Sequence, residues 1–332
     1  TKEEVVSYLE AAGFTLVAAE SQSHGQEESL TFVRRDAGNE VDRGAPLFSP
    51  ARACWNQRFL LAECRERILQ LSYAVAKPSD LTLYQYAQLM AAVVDYAPDL
   101  ILELGRGAGN STCAFLEAVN RMTPGRSRIL SICLSDDWER KTVPRLQGMV
   151  PPQWFEPLNA VHGDILAFDF PAALAGADRV LVFWDADGFD VADCVLGAIL
   201  PEIALREHLV ILHDLSDARY GSPEAAQYGD CGLWKGGATA SQARLRLGCV
   251  DSAVEQAVAV LDFTSRNRLI LHSADESFAR ELGPDSDRAN ELRRLLGEEL
   301  FSLQGHWFWF SLNEVAGPYT FPHFRKPAAV CR

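Results

Sequence analysis

Ile101-Leu102-Glu103-Leu104-Gly105-Arg106-Gly107-Ala108-Gly109-Asn110-Ser111-Thr112 is the stretch whose reading decides the fold. It starts as an apolar run, passes through an acid and three alternate glycines, and enters a helical pattern at 111–121. Glycine lets a chain turn sharply and brings backbone to a ligand with no Cβ in the way. A glycine triplet alone is a weak signal. Between a strand and a helix it gains weight as a ligand-cradling turn. The spacing is Gly-x-Gly-x-Gly, not the Gly-x-Gly-x-x-Gly of dinucleotide sites, which speaks against an oxidoreductase using a nicotinamide cofactor.

Working outward, short apolar runs at 100–104, 129–134, 158–161, 180–184 and 209–212 alternate with helical patterns, notably 111–121 and 190–205. Such alternation predicts an α/β fold: a Rossmann-like, doubly wound, mostly parallel sheet with helices on both faces. Right-handed crossovers then bring the strand C-terminal ends to one edge, where ligands bind. Residues 52–75 and 82–96 repeat apolar side chains at spacings of three and four, predicting helices with one buried face. Further on come a helical pattern at 250–261, a strand at 268–272, a charged helix at 287–300 and a strand at 307–312. Residues 221–240 are a Gly-rich loop carrying Tyr228, Trp234 and Lys235, and read as a lid. The layout is an extension and linker at 1–50, a helical lead-in at 51–98 and the α/β domain at 99–320. Within the extension, a helix at 4–12 precedes two strand-like runs.

Acids follow the strand ends in order: Val161-His162-Gly163-Asp164, then Val182-Phe183-Trp184-Asp185-Ala186-Asp187, then Leu209-Val210-Ile211-Leu212-His213-Asp214. Together with Glu-x-Gly-x-Gly-x-Gly at 103–109, this order resembles class I S-adenosylmethionine-dependent methyltransferases. The stretch 180–214 is similar to the small-molecule O-methyltransferases that include macrocin O-methyltransferase and cephalosporin hydroxylase-like proteins. The resemblance covers about residues 82–215. It implies S-adenosylmethionine as cofactor, held by Glu103, Gly105, Gly107, Gly109, Asn110 and Ser111, with Asp164 near the adenine. It implies O-methylation of a hydroxyl on a small-molecule acceptor, a sugar or a secondary metabolite. It also implies a magnesium site from Asp185, His213 and Asp214, although a histidine suits that hard cation less well than oxygen.

Two departures from the family pattern matter. The second strand commonly ends in an acid that binds the ribose; here Cys133 stands there, and either a local bulge brings Asp136 or Asp137 round or the ribose is held more weakly. The family's histidine after Asp-x-Asp is Gly188, which leaves His213 and Asp187 as candidates for the base. These departures keep an alternative open: a non-catalytic cofactor-binding module of a larger assembly.

The chain has 332 residues, 48% hydrophobic and 10% aromatic, enough for a sizeable core and unlike a disordered chain. Its net charge of −14 opposes nucleic-acid binding, and no local basic stripe offsets it. No apolar run approaches the roughly 20 residues of a membrane span. The eight cysteines form no Cys-x-x-Cys pair, so a zinc ribbon is disfavoured. They read as reduced, buried thiols of a cytoplasmic protein. The start on Thr1 suits a piece cut from a longer chain, whose neighbouring domains, or a second copy, are then expected partners.

Overall fold

Every residue of β3 (Leu100–Leu104) is buried, as expected of a central parallel strand covered on both faces. The computed structural model describes residues 14–22, 27–34, 46–75, 81–213 and 255–326. The helix expected at 4–12, Asp214 and the loop at 221–240 lie outside them. The chain divides into two units, Thr1–Leu47 and Phe48–Arg332. In the first, β1 (Phe14–Gln22) and β2 (Glu27–Arg34) pair antiparallel, with a register shift between Leu16 and Ala18.

The second unit is built on a seven-stranded sheet. β3 is flanked by β4 (Arg128–Cys133) and β6 (Arg179–Trp184); β5 (Leu158–His162) and β7 (Glu207–Leu212) lie outside them, all parallel. β9 (Phe308–Phe310) joins β7 antiparallel, and the two-residue β8 (His272–Ser273) closes that side, giving the order β5-β4-β3-β6-β7-β9-β8. The chain winds outward one way from β3 to β4 and β5, and the other way from β6. The switch point lies between the C-terminal ends of β3 and β6, where open α/β sheets bind ligands.

Side chains alternate between two cores as a period of two requires. Ile101, Leu181, Phe183, Leu209 and Ile211 enter one core; Leu102, Leu104, Val180, Val182, Trp184, Val210 and Leu212 enter the other. The first core holds α1 (Pro50–Asn56), α2 (Arg58–Glu63), α3 (Arg65–Ala74), α4 (Leu83–Tyr96) and α5 (Asn110–Asn120). The second holds α6 (Phe189–Cys194), which continues through a π-turn at Val195–Ile199 into Leu200–Ile203, and α7 (255–266). α8 (Ala274–Glu281) and α9 (Asp287–Leu300) return to the first face.

The helical lead-in therefore shares its core with the sheet. Its stretch 52–75, expected as one helix, is broken at Gln57 and Cys64, whose ψ values are 10° and −2°. The breaks re-aim successive turns so that Cys54, Leu61, Ile68 and Leu71 all reach the core. The strand expected at 268–272 shrinks to β8. Arg268 sits at φ 57°, and Leu269 N–H turns back to Thr264 O at 2.8 Å, closing α7 rather than extending a strand. The five described cysteines, Cys54, Cys64, Cys113, Cys133 and Cys194, are free and buried. Among the described residues no helix is long and apolar enough to cross a membrane.

Candidate functional site

The three glycines of the loop after β3 all have positive φ, at 96°, 52° and 98° for Gly105, Gly107 and Gly109. Their reasons differ. A Cβ on Gly105 would stand 2.0 Å from the Asp185 carbonyl oxygen, so glycine lets the β3 and β6 ends approach each other. A Cβ on Gly109 would meet the Trp138 ring at 2.1 Å. At Gly107 nothing lies within 4 Å of that position. Two of the glycines answer protein contacts, and one faces open space.

Beneath the loop is a buried polar network. Glu103 is fully buried and accepts from Ser111 Oγ at 2.6 Å, from Thr112 Oγ1 at 2.7 Å and from Ser131 Oγ. Burial pushes the Glu103 carboxyl up, against the hydroxyls of Ser111, Ser131 and Thr112 and the Arg106 guanidinium, which favour its charged form. Arg106 Nη1 donates to Ser131 O at 2.9 Å, and Nη2 donates to Glu139 Oε1 at 2.8 Å. Three of the residues expected at the cofactor lie in or beside this network. Glu103 and Ser111 bond to each other under the loop, and Asn110 is buried at the first position of α5. Glu103 and Ser111 thus brace the turn from beneath.

Above the sheet edge lies a cleft of about 670 Å³. Its walls come from the strand ends: Gly105 after β3, Cys133 and Leu134 at β4, Asp164 to Leu166 after β5, Ala186 to Val191 after β6, and Glu255 at the start of α7. This volume falls in the range of small-molecule sites, roughly 300–1,000 Å³. Asp164 Oδ1 accepts from Leu166 N–H at 2.9 Å and so fixes the turn that forms one wall. His162 bonds to Leu134 O at 2.9 Å, a structural part.

Asp136 does not come round to the cleft. It begins a helical turn and pairs with Arg140 at 3.2 Å, while Asp137 pairs with Lys141 at 2.7 Å. The β4 end offers Cys133 instead, whose Sγ accepts from Gly107 N–H and from Ser135 N–H, both at 3.4 Å.

At the end of β6, Asp185 Oδ1 lies 3.2 Å from His213 Nδ1. The other ring nitrogen of His213 lies 3.2 Å from Gln85 Nε2. Both nitrogens thus face protein groups, and His213, expected as a candidate base, is 4% exposed. Asp187 lines the cleft. Gln256, fully buried, lies between it and Trp184: with its amide nitrogen turned toward the carboxylate it donates to Asp187 Oδ1 at 3.0 Å, while the Trp184 N–H donates to Ala186 O at 2.7 Å. Phe189 N–H donates to Glu255 Oε2 at 3.2 Å, which ties α7 to the same loop.

Gln85, Gln256 and Glu255 escaped the reading of the sequence. Only Gln85 left a trace there, as the fourth residue of the capping box Thr82-Leu83-Tyr84-Gln85. Among the described residues no group of three or more His, Cys, Asp or Glu gathers to hold a metal ion.

No family model matches the chain, and no curated protein matches it. Among solved structures it is similar to the SAH-bound methyltransferase of Podospora anserina, at 16% identity over 56% of this chain and 71% of that one, with a TM-score of 0.36. It is similar to the O-methyltransferase TomG of Streptomyces achromogenes, involved in tomaymycin synthesis and solved with SAM; identity is 17%, coverage 55% and 77%, and TM-score 0.34. An O-methyltransferase of Bacillus cereus in complex with SAH gives 14% identity, 63% and 82% coverage and a TM-score of 0.35. At such values, what this chain does has to be read from its own residues.

Proposed function

We propose that this chain is an S-adenosylmethionine-dependent methyltransferase acting on a hydroxyl of a small molecule, a sugar or a secondary metabolite. The observation that carries the reading is the cleft at the switch point of the sheet, bounded at Gly105 by the glycine loop; the next glycine of that loop, Gly107, has no protein atom within 4 Å of its Cβ position. Its residues fit the cofactor. Leu134, Ile165 and Leu166 give apolar walls for a nucleobase, with the Asp164 carboxylate beside them. Asp187, Asp190 and Glu255 place negative charge around a ligand that carries a cationic sulfonium.

S-adenosylmethionine, when bound, supplies an electrophilic methyl group on sulfur. The protein's task is alignment, because an in-line displacement is fast only when the reacting groups are held close and oriented. The loop between β3 and α5 bounds one side of the cleft at Gly105. On the other side Asp187, steadied by Gln256, faces the cleft as hydrogen-bond acceptor for the acceptor hydroxyl and as the place its proton can go. Of the expected magnesium ligands, Asp185 and His213 lie 3.2 Å apart and Asp214 lies outside the described residues; no step is routed through that cation, which takes oxygen ligands.

Calorimetry tests the reading. S-adenosylmethionine and S-adenosylhomocysteine are expected to bind with and without a chelator, and NAD and NADP to give no heat. Binding of NAD or NADP in preference to both would overturn it.

A further inference from the structure

Gln85 occupies a position from which it controls the chemistry of a histidine 128 residues away. Its amide has one orientation. Oε1 accepts from Thr82 N–H and from Thr82 Oγ1–H, both at 2.9 Å, while Thr82 Oγ1 accepts from Gln85 N–H at 3.3 Å. With the oxygen fixed by this capping box at the start of α4, the amide nitrogen points the other way. Nε2 has two protons. One goes to Gly305 O at 2.9 Å; the other faces His213 Nε2 at 3.2 Å. A donor facing a ring nitrogen requires that nitrogen to carry a lone pair. The ring's proton is then on Nδ1, 3.2 Å from Asp185 Oδ1. Gln85 and His213 are 5% and 4% exposed, so water does not easily take over either partner.

We propose that Gln85 is a positioning residue that locks His213 in its neutral Nδ1–H tautomer, making the ring a hydrogen-bond donor to Asp185 rather than a proton acceptor. A second proton on His213 Nε2 would set donor against donor across 3.2 Å. The chain of contacts Thr82–Gln85–His213–Asp185 joins the first turn of α4 to the end of β6, where Asp185 meets Gly105. The bearing on turnover rests on the methyltransferase reading; the tautomer does not.

The test is ring-nitrogen NMR on the full chain, labelled with 15N-histidine, at neutral pH. The His213 signals are those lost in His213→Asn. In the wild type, Nδ1 is expected to carry the bonded proton and Nε2 to show the shift of an unprotonated nitrogen. A proton on Nε2, or on both nitrogens, overturns the proposal. Gln85→Glu places an acceptor opposite Nε2, so the proton is expected to move there or the ring to become doubly protonated. An unchanged Nδ1–H pattern in this variant overturns the assignment to Gln85. Where Gln85→Glu does not fold, because an oxygen then faces Gly305 O, Gln85→Met removes the donor and is expected to give mixed tautomers. Here too an unchanged pattern overturns the proposal. If neither variant folds, a wild-type spectrum without the Nδ1–H tautomer still overturns the proposal. If S-adenosylmethionine does not bind the wild type while His213 shows the Nδ1–H tautomer, the methyltransferase reading fails and this proposal stands.

Discussion

The two edges of the parallel sheet carry similar residue types and use them differently. At the N-terminal edge the polar groups close onto backbone and onto one another. Asp99 Oδ2 accepts from Asp178 N–H and Arg179 N–H at 3.1 and 2.9 Å, Arg179 pairs with Glu207, and Arg206 Nη1 donates to Ala177 O at 3.0 Å. At the C-terminal edge Asp164, Asp187 and Glu255 each take a protein partner and still face a cleft of about 670 Å³. One edge ties strands together; the other keeps carboxylates available beside a turn of unusual backbone. The difference teaches that an acid at a strand end says little until its edge is known.

The sharpest way to break this contrast lies within the glycine loop. Gly105→Ala sets a Cβ 2.0 Å from the Asp185 carbonyl, at φ 96°, where a side chain is already strained. Backbone strain and overpacking together are expected to cost about 3 kcal/mol or more in urea unfolding. Wild-type stability in this variant would mean that β3 and β6 do not approach so closely.

Gly107→Val gives the opposite signature. Its Cβ meets no protein atom within 4 Å, so the fold stays cooperative with only the strain of φ 52° to bear. S-adenosylmethionine affinity is expected to fall roughly a hundredfold or more, about 2.8 kcal/mol. Calorimetry showing wild-type affinity would place the donor away from this loop.

The sheet was legible because its signals are local. Apolar runs at 100–104 and 180–184 sit where β3 and β6 form, and the glycine turn between strand and helix is where the chain said it would be. The partners of the site residues were not legible. Glu103 reads as a cofactor ligand until Ser131, 28 residues on, is seen to share the buried carboxylate with Ser111 and Thr112. Asp136 reads as a ribose acid until a helical turn brings Arg140 beside it. His213 reads as a candidate base, and nothing in its own stretch announces Gln85 against its Nε2. In each case the contact is set by tertiary folding, and neither spacing nor residue type carries it.

The N-terminal edge should answer with stability alone. Asp99→Ala removes the acceptor of two backbone N–H groups and is expected to cost about 1–2 kcal/mol. S-adenosylmethionine affinity should be unchanged, because Asp99 precedes β3 at the end away from the cleft. A loss of affinity in step with stability would show that the two edges are coupled.

The smallest effect is a pH slope, and it sets His208, near the start of β7, against His213, just past its end. His208 is buried near the start of β7, with Nδ1 donating to Arg206 O at 3.0 Å and Nε2 accepting from Leu312 N–H at 2.9 Å. Burial lowers its pKa, against the carbonyls of Arg206 and Ile203, which raise it. The unfolded histidine titrates near its ordinary value of about 6.5. Below that pH the unfolded chain binds a proton that the folded chain refuses, so stability falls as pH drops toward the lowered folded value. Above the unfolded value the contribution is constant. The slope in that window cannot exceed about 1.4 kcal/mol per pH unit for one group. His208→Gln keeps an acceptor for Leu312 N–H and has nothing to titrate. Urea midpoints at about pH 7 and about pH 5 should therefore fall further in the wild type than in the variant, the other groups cancelling in the difference. Parallel losses would mean that His208 takes up its proton as readily folded as unfolded, and that the N-terminal edge opens to admit it.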